Sequence, residues 1–581
     1  MNDSYLTQFG FIDLPLILLI LSQLFFIYVF KVNRGLWRYS SVTDLFLIIK
    51  MAIVGVVFNG LVAFTMGSFT DSIRFILLNH VLFIMALGGI RLMLRAYYHF
   101  EPKREDVTNV LIIGAGGGGD LACRRFSRIK NKFKVIGFLD DDENKKNRHI
   151  HGYKVLGTLI DLADIIRKNR VDEIVVAIPT AKPNFIRDVA KVCFENKVSV
   201  KVMHPPAEME NGDEGYEIRK LRLEDLLYRD KITVDLKFIR ETYSSKKVLV
   251  TGAAGSIGEE LVKQVAATKP SVLYLLDQAE SPLYFLLRDC ETRFPDVKVV
   301  PLLCDITDKA YLEQLFILHR PEIVLHAAAY KHVPLLEDNL YQAMSVNVEG
   351  TRSLCELSEK YKVERFVFIS TDKAVNPTNI LGVTKRMAEL ICKTFHEKSQ
   401  TTNFIAVRFG NVIGSQGSVI PLFTKQIQQG GPVTVTDLDI KRYFMMIPEA
   451  VQLVLFASVL GSGGEIFVLD MGKQIKIIDL ATNMIRLCGF EPNKDIKIEY
   501  TGLRPGEKLY EELYDETEKV CATKHPKINM AIGISYDHDR LMKKINTCIL
   551  HVKQGKDKND LTTLLTDIVG TYQVHSLLDA S

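Results

Sequence analysis

The run Lys247 to Val250 leads straight into TGAAGSIG and then into an amphipathic helical pattern beginning near Glu259. Strand, glycine-rich turn and helix in that order make a phosphate-binding βα unit, and Gly252, Gly255 and Gly258 fall on a G-x-x-G-x-x-G spacing. The first glycine permits the turn, and the second lets the backbone, with Ser256 and Ile257 beside it, approach a pyrophosphate. The third allows close helix–strand packing. A pyrophosphate would rest on the amides at the helix start, where the dipole favours an anion. The next strand, Ser271 to Leu276, ends at Asp277, 19 residues after Gly258. A carboxylate there accepts both ribose hydroxyls and repels a 2′-phosphate, so NAD is expected rather than NADP. Lys298 to Leu303 runs on to Asp305 and Ile306, placed to edge the adenine. Ile323 to Leu325 ends in HAAAY, whose Ala327 and Ala328 let a cofactor lie flat.

One such unit does not account for 581 residues, more than a single core holds. An earlier apolar run, Val107 to Ile113, leads into GAGGGG, where Gly114, Gly116 and Gly119 match G-x-G-x-x-G ahead of a predicted helix from Asp120 to Lys130. Lys134 to Leu139 then ends in Asp140, Asp141 and Asp142, and Glu173 to Ile178 and Val198 to Met203 continue a small α/β domain. A nucleotide site and a purely structural or regulatory module account for this pattern equally well. The expected fold class is therefore α/β, with two Rossmann-like doubly wound parallel-sheet units in series after a transmembrane block. The boundaries expected are a transmembrane region over 1–100, a first Rossmann-like domain over 105–205, a connector over 206–245, a catalytic domain over 246–535 and a helical segment over 536–581. In the connector, IRKLRLEDLLYRD is expected as a helix or interface segment; the last segment suggests no chemistry.

Before residue 100 the composition changes. Phe11 to Phe30 is apolar apart from Asp13, Ser22 and Gln23, and about 20 such residues span a bilayer as a helix. Met51 to Met66 and Phe75 to Leu94 are further candidates, giving three spans. Lys31, Arg34, Arg38 and Lys50 lie between the first two, and Arg91, Arg95, Lys103 and Arg104 end the third, whereas the loop Gly67 to Ser72 carries no base. The positive-inside rule puts the N-terminus outside and everything after the third span in the cytoplasm, with Trp37 at the membrane interface. The net charge of +4, without a Lys/Arg run, gives no nucleic-acid face. The 9 cysteines form no C-x-x-C pair, so neither a metal site nor a disulfide framework is expected.

The chemistry concentrates after the strand Phe366 to Ile369, which ends in STDKAVNPTNILGVTKR. Ligands in open α/β sheets sit at the carboxyl ends of the strands, so Ser370, Thr371, Asp372 and Lys373 point at the reacting group. Together with TGAAGSIG, HAAAYKHVPLLE, NVEGT, VRFGNVIGSQGSVIPLF, RYFM and RPGEKLYEEL, this stretch resembles the extended short-chain dehydrogenase/reductases. More narrowly, it resembles the membrane-bound UDP-N-acetylglucosamine 4,6-dehydratases of polysaccharide biosynthesis, over nearly the whole chain. The resemblance implies a bacterial cytoplasmic-membrane enzyme that binds NAD and a UDP-sugar and forms a homodimer or higher oligomer through the helix bearing the lysine. It implies C4 oxidation, loss of water across C5 and C6 and hydride return to C6, giving a UDP-4-keto-6-deoxy-N-acetylhexosamine, with UDP-GlcNAc and C5 retention favoured. It assigns Asp372 as general acid, Lys373 as base at C5, Thr371 as a sugar contact and Lys385 as a holder of the nicotinamide ribose. Lys331, Asn411, Arg442, Arg504 and Glu507 become UDP-sugar contacts, arginines suiting a diphosphate through paired donors.

Two departures stand out. The usual Y-x-x-x-K would place tyrosine four residues before Lys385, where this chain has Leu381; the large membrane-bound members resemble it in carrying an apolar residue there. The acceptor of the C4 hydroxyl proton is then Asp372, Thr371 or a water. Family members also carry four spans, and this chain matches from the second. A 4-epimerase and a non-catalytic NAD-sensing membrane scaffold are the competing readings. His326 and His332 are expected to pack and hydrogen-bond rather than bind metal.

Overall fold

The structure is a computed structural model, and it describes residues 14–30, 42–65, 69–100, 107–129, 132–204, 216–227, 236–533, 536–555 and 558–573. Lys31, Arg34, Trp37, Arg38, Lys103 and Arg104, on which the orientation argument partly rests, lie outside them. By contacts the chain divides into two units, 1–110 with 123–135, and 111–122 with 136–581.

The first unit contains helices Leu14–Val29, Val42–Thr65 and Phe69–Phe100. Within the last two, Phe46–Thr65 and Ile73–Ile90 are long and apolar enough to cross a membrane, and Leu19–Val29 is a shorter apolar helix. Their polarity is reversed from that of a water-soluble bundle. Leu24, Phe25, Val57, Leu61, Phe64 and Met85 face outward, while Ser22 donates to the Asn59 side-chain oxygen at 3.0 Å and Asn59 donates to the Gly55 carbonyl at 2.9 Å. Gln23 also pairs with Asn79. Apolar surface outside and polar pairs between helices is the distribution that lipid favours.

The smaller sheet has seven strands in the order His149–Ile150, Tyr153–Gly157, Phe133–Leu139, Thr108–Ile113, Glu173–Val176, Ser199–His204 and Glu217–Lys220. The last of these pairs antiparallel with Ser199–His204. IRKLRLEDLLYRD therefore begins as a strand rather than a helix: Ile218 to Lys220 extend the sheet, and among its described residues, which end at Leu227, Leu223–Leu227 is helical. The Arg219 guanidinium fixes this end, donating to both oxygens of buried Asp225 at 2.7 and 2.8 Å.

The larger sheet carries the chemistry. Its strands are β1 (Lys247–Thr251), β2 (Val272–Asp277), β3 (Val299–Leu303), β4 (Ile323–His326), β5 (Arg365–Ile369), β6 (Asn403–Arg408), β7 (Ile466–Leu469), β8 (Lys519–Ala522) and β9 (Ile528–Ile532). They lie in the order β3-β2-β1-β4-β5-β6-β7-β9-β8. The first seven are parallel, and β9 and β8 add an antiparallel edge. Strands covered on both faces need apolar residues at every position, and alternate residues enter different cores. Leu249, Phe366 and Phe368 enter one; Val248, Val250, Val367 and Ile369 enter the other. Strand order reverses between β1 and β4, which opens a crevice at their carboxyl ends.

Helix Ile380–Lys398, which carries Lys385, is buried from Ile380 through Cys392. Its Val383, Met387, Leu390 and Ile391 share a core with Leu541, Ile545, Cys548 and Ile549 of helix His538–Lys553 and with Leu565 and Ile568 of helix Lys558–Ile568. The chain's own C-terminal helices thus pack against the helix that carries Lys385.

Candidate active site

The turn after β1 is tight. Gly252 has φ +66°, and a β-carbon there would lie 2.6 Å from the Ala328 nitrogen. A β-carbon on Gly258 would come within 1.9 Å of the Gly252 carbonyl oxygen. Only glycine lets this turn close and lets helix Ser256–Ala266 start against it. Asp277 closes the turn from β2, accepting from the Ala254 amide at 2.9 Å and from the Ala279 amide at 2.9 Å. Asp305 accepts from the Thr307 amide at 2.9 Å, and Ile306 is buried beneath it.

This turn opens onto a cleft of roughly 680 Å³. The cleft brings together Gly252, Gly255, Ser256, Ile257, Gly258, Ala327, Lys331, Thr371, Lys373, Lys385, Asn411, Arg442, Arg504 and Glu507 from the expected set. Asp277, Asp305, Ile306, Ala328 and Asp372 are not among the residues that line it. The turn, the amides at the helix start and the Asp277 carboxylate fit NAD: Ser256 and Ile257 would hold its pyrophosphate and Asp277 its adenosine ribose.

Lys385 reaches from its helix to donate to the Ile369 carbonyl at 2.6 Å, its ammonium 4.1 Å from the centre of the Phe368 ring. Burial pushes its pKa down to about 8. His326 is buried with both ring nitrogens engaged, Nδ1 to the Thr251 hydroxyl at 2.7 Å and Nε2 to the Thr351 hydroxyl at 2.9 Å. Burial, with Lys385 nearby, pushes it to about 3, so it stays a neutral packing residue as expected. His332 lines the cleft beside Gly417. Among the described residues no cluster of His, Cys, Asp and Glu could hold a metal.

Thr371, Asp372 and Lys373 follow β5, and Asn379 caps the lysine helix by accepting from the Gly382 amide at 2.9 Å. Asp372 has no exposed surface. Its Oδ1 accepts from the Thr371 hydroxyl at 2.9 Å and from the Lys373 ammonium at 3.0 Å, while its Oδ2 has no partner. Burial raises the Asp372 pKa above the ordinary carboxyl value, opposed by Lys373 and reinforced by Glu511. The Lys373 ammonium also donates to Asn411 Oδ1 at 3.1 Å and lies 3.4 Å from Glu511 Oε1. Burial alone would lower Lys373, but the two carboxylates outweigh it and hold its pKa above the ordinary value.

Leu381 is buried at the cleft wall, so no phenol faces the site from that position. Arg442 stands at the other side, its Nη2 3.3 Å from Glu507 Oε1 and its Nε 3.7 Å from Glu511 Oε1. Glu507 also accepts from the Arg504 amide at 3.2 Å. Glu511 is the residue that sequence reasoning missed. It lies inside RPGEKLYEEL, and only the fold brings it to Lys373.

A family model described as a polysaccharide biosynthesis protein matches residues 248–532, and one described as a CoA-binding domain matches residues 29–203. The capsular polysaccharide biosynthesis protein CapD of Staphylococcus aureus is 39% identical over 507 residues, 86% of this chain and 84% of its own. A UDP-N-acetylglucosamine 4,6-dehydratase (inverting) of Campylobacter jejuni subsp. jejuni is 31% identical over 274 residues, 46% of this chain and 77% of its own. A UDP-glucose 4-epimerase of Rickettsia canadensis is 31% identical over 288 residues, 48% of this chain and 81% of its own. The βα turn, the cleft at the sheet's switch point and these likenesses agree, and the chain belongs to the polysaccharide-biosynthesis family of nucleotide-sugar dehydratases and epimerases.

Proposed function

We propose that the chain is a membrane-anchored UDP-N-acetylglucosamine 4,6-dehydratase that makes a UDP-4-keto-6-deoxy-N-acetylhexosamine for surface glycans. The observation that carries this reading is buried Asp372 paired with half-buried Lys373 beside the cleft, with Leu381 where a reductase would present tyrosine. An epimerase needs only reversible oxidation at C4; an acid and a base are needed together when C5 loses a proton and C6 loses its hydroxyl.

NAD held at the β1 turn would supply the hydride acceptor for C4 and the hydride donor for C6. The protein's own groups handle the protons. Thr371 lines the cleft and donates to Asp372, so the C4 hydroxyl proton passes through the Thr371 hydroxyl onto Asp372. The same proton then leaves with the C6 hydroxyl as water, so one carboxyl replaces the missing phenol and also serves as acid. Lys373 takes the C5 proton and gives it back to C5. Arg442 and Arg504 pair with the diphosphate, and Lys331 and Asn411 face the sugar. Lys385 holds the nicotinamide ribose. The apolar helices anchor the chain as a multi-pass protein, with the catalytic part on the cytoplasmic side.

Purified full-length protein, given UDP-GlcNAc and no added nucleotide, tests this. Loss of one water with a new C6 methyl proton signal is the expected result. An unchanged mass with UDP-GalNAc appearing would replace the reading with an epimerase, and no turnover by protein that retains NAD would favour the scaffold.

A further inference from the structure

The proton route leaves one group unexplained. Lys373 must be an uncharged amine to take the C5 proton, yet it sits as an ammonium between two carboxylates. Asp372 does not take the ammonium's proton, because it has to receive the C4 hydroxyl proton first. Among the described carboxylates ion-paired with Lys373, that leaves Glu511, at 3.4 Å.

Glu511 is buried at 5% exposure, and its Oε2 has no partner. A buried carboxylate oxygen without a donor is costly unless it is put to use. Its surroundings also include a proposed substrate contact. Arg442 Nε lies 3.7 Å from Glu511 Oε1, and Arg442 is a residue the proposed function assigns to the diphosphate. Burial would raise the Glu511 pKa, but Lys373, Arg442 and Lys508 together outweigh burial and hold it below the ordinary carboxyl value; a diphosphate drawn to Arg442 offsets one of these three and moves Glu511 toward protonation.

We propose that Glu511 takes the proton of Lys373 once substrate is bound, and so makes Lys373 the base at C5. The N–H bond of the ammonium breaks and an O–H bond forms on Glu511. Lys373 then removes and later returns the C5 proton, and Glu511 gives its proton back as product leaves. No proton is gained or lost overall. Glu511 is a positioning residue, since it acts through Lys373 and touches no reacting atom. The charged and titratable groups around the pair are Asp372 beside Lys373, Arg442 from the strand Lys441–Arg442, and Lys508 on Glu511's own segment. The inference rests on the dehydratase reading.

The test is the pH dependence of kcat for full-length wild type, Glu511→Gln and Glu511→Asp, with NAD retention measured in each. In the wild type the Lys373–Glu511 pair shares one proton, so kcat should be flat around neutral pH. In Glu511→Gln the lysine must lose its proton to solvent. Its kcat should fall about 10²-fold at pH 7 and recover about tenfold per pH unit as pH rises, with KM little changed. Glu511→Asp should keep a flat profile at reduced rate. An equal loss at every pH in both variants, or a Glu511→Gln profile as flat and fast as wild type, would overturn the role of Glu511. If Glu511→Gln fails to fold, a sloping Glu511→Asp profile would overturn it in the same way. A wild type that releases no water from the sugar would defeat the dehydratase reading instead, and this inference with it.

Discussion

At the scale of single residues, the proposed function separates groups that hold ligand from groups that move protons. Asp372→Asn should lower water release by about 10²- to 10⁴-fold while NAD still co-purifies, read by sugar NMR and by cofactor released on denaturation. The same change should not weaken the fold. A carboxyl raised above its unfolded value binds its proton more tightly in the folded chain, so stability falls as pH rises from the unfolded value through the raised one. An amide has no such proton to lose, and Asp372→Asn should melt at an equal or higher temperature than wild type at pH 7. Gly258→Ala should act in the opposite sense, expelling NAD, because its β-carbon would overlap the Gly252 carbonyl; cofactor content after purification decides this. Thr371, Asp372 and Lys373 were legible in the sequence because they follow a recognisable strand, and Lys385 was legible through the family resemblance. Glu511 was not, because a glutamate in a charged loop has no periodicity to mark it.

At the scale of elements, helix Ile380–Lys398, strand β6 and the approach to β8 are pinned by a buried ionic network. Arg408 donates to both oxygens of Glu389 at 2.7 Å and to both oxygens of Glu518 at 2.7 Å, and Arg386 reaches Glu518 at 2.8 Å and Asp515 at 3.1 Å. Removing one member strands buried charge, so Glu518→Ala should cost about 3–5 kcal/mol in denaturant unfolding. Burial would raise Glu518, but Arg408 and Arg386 overcome it and hold it at about 2. A depressed carboxyl contributes stability above its unfolded value and loses it as pH falls toward the folded one. Wild type should therefore lose stability between about pH 4 and pH 2, and Glu518→Ala should show a shallower loss over the same window. Elements with a continuous apolar run or a fingerprint turn were legible. Glu217–Lys220 was not, because four mixed residues become a strand only where Ser199–His204 offers an open edge.

At the scale of the whole molecule, the C-terminal helices share the core of the larger sheet. Ile545 is fully buried in the core that holds the lysine helix. Ile545→Ala should cost about 2–5 kcal/mol and should loosen NAD retention, though residue 545 lies far along the chain from the cofactor turn; thermal melting with and without added NAD measures both effects. The sequence by itself determined two glycine-fingerprint units, a preference for NAD, an apolar N-terminal block and the placing of an acid and a lysine at a strand end. These follow from local geometry, since turn, helix start and strand end are neighbours in the chain. Only the tertiary structure decided that Asp372 reaches the cleft through Thr371, that Glu511 and Arg442 close around Lys373, and that the chain's own helices cover the lysine helix. Each depends on segments remote in sequence meeting at one place, where burial and charge, rather than spacing, fix what a side chain does.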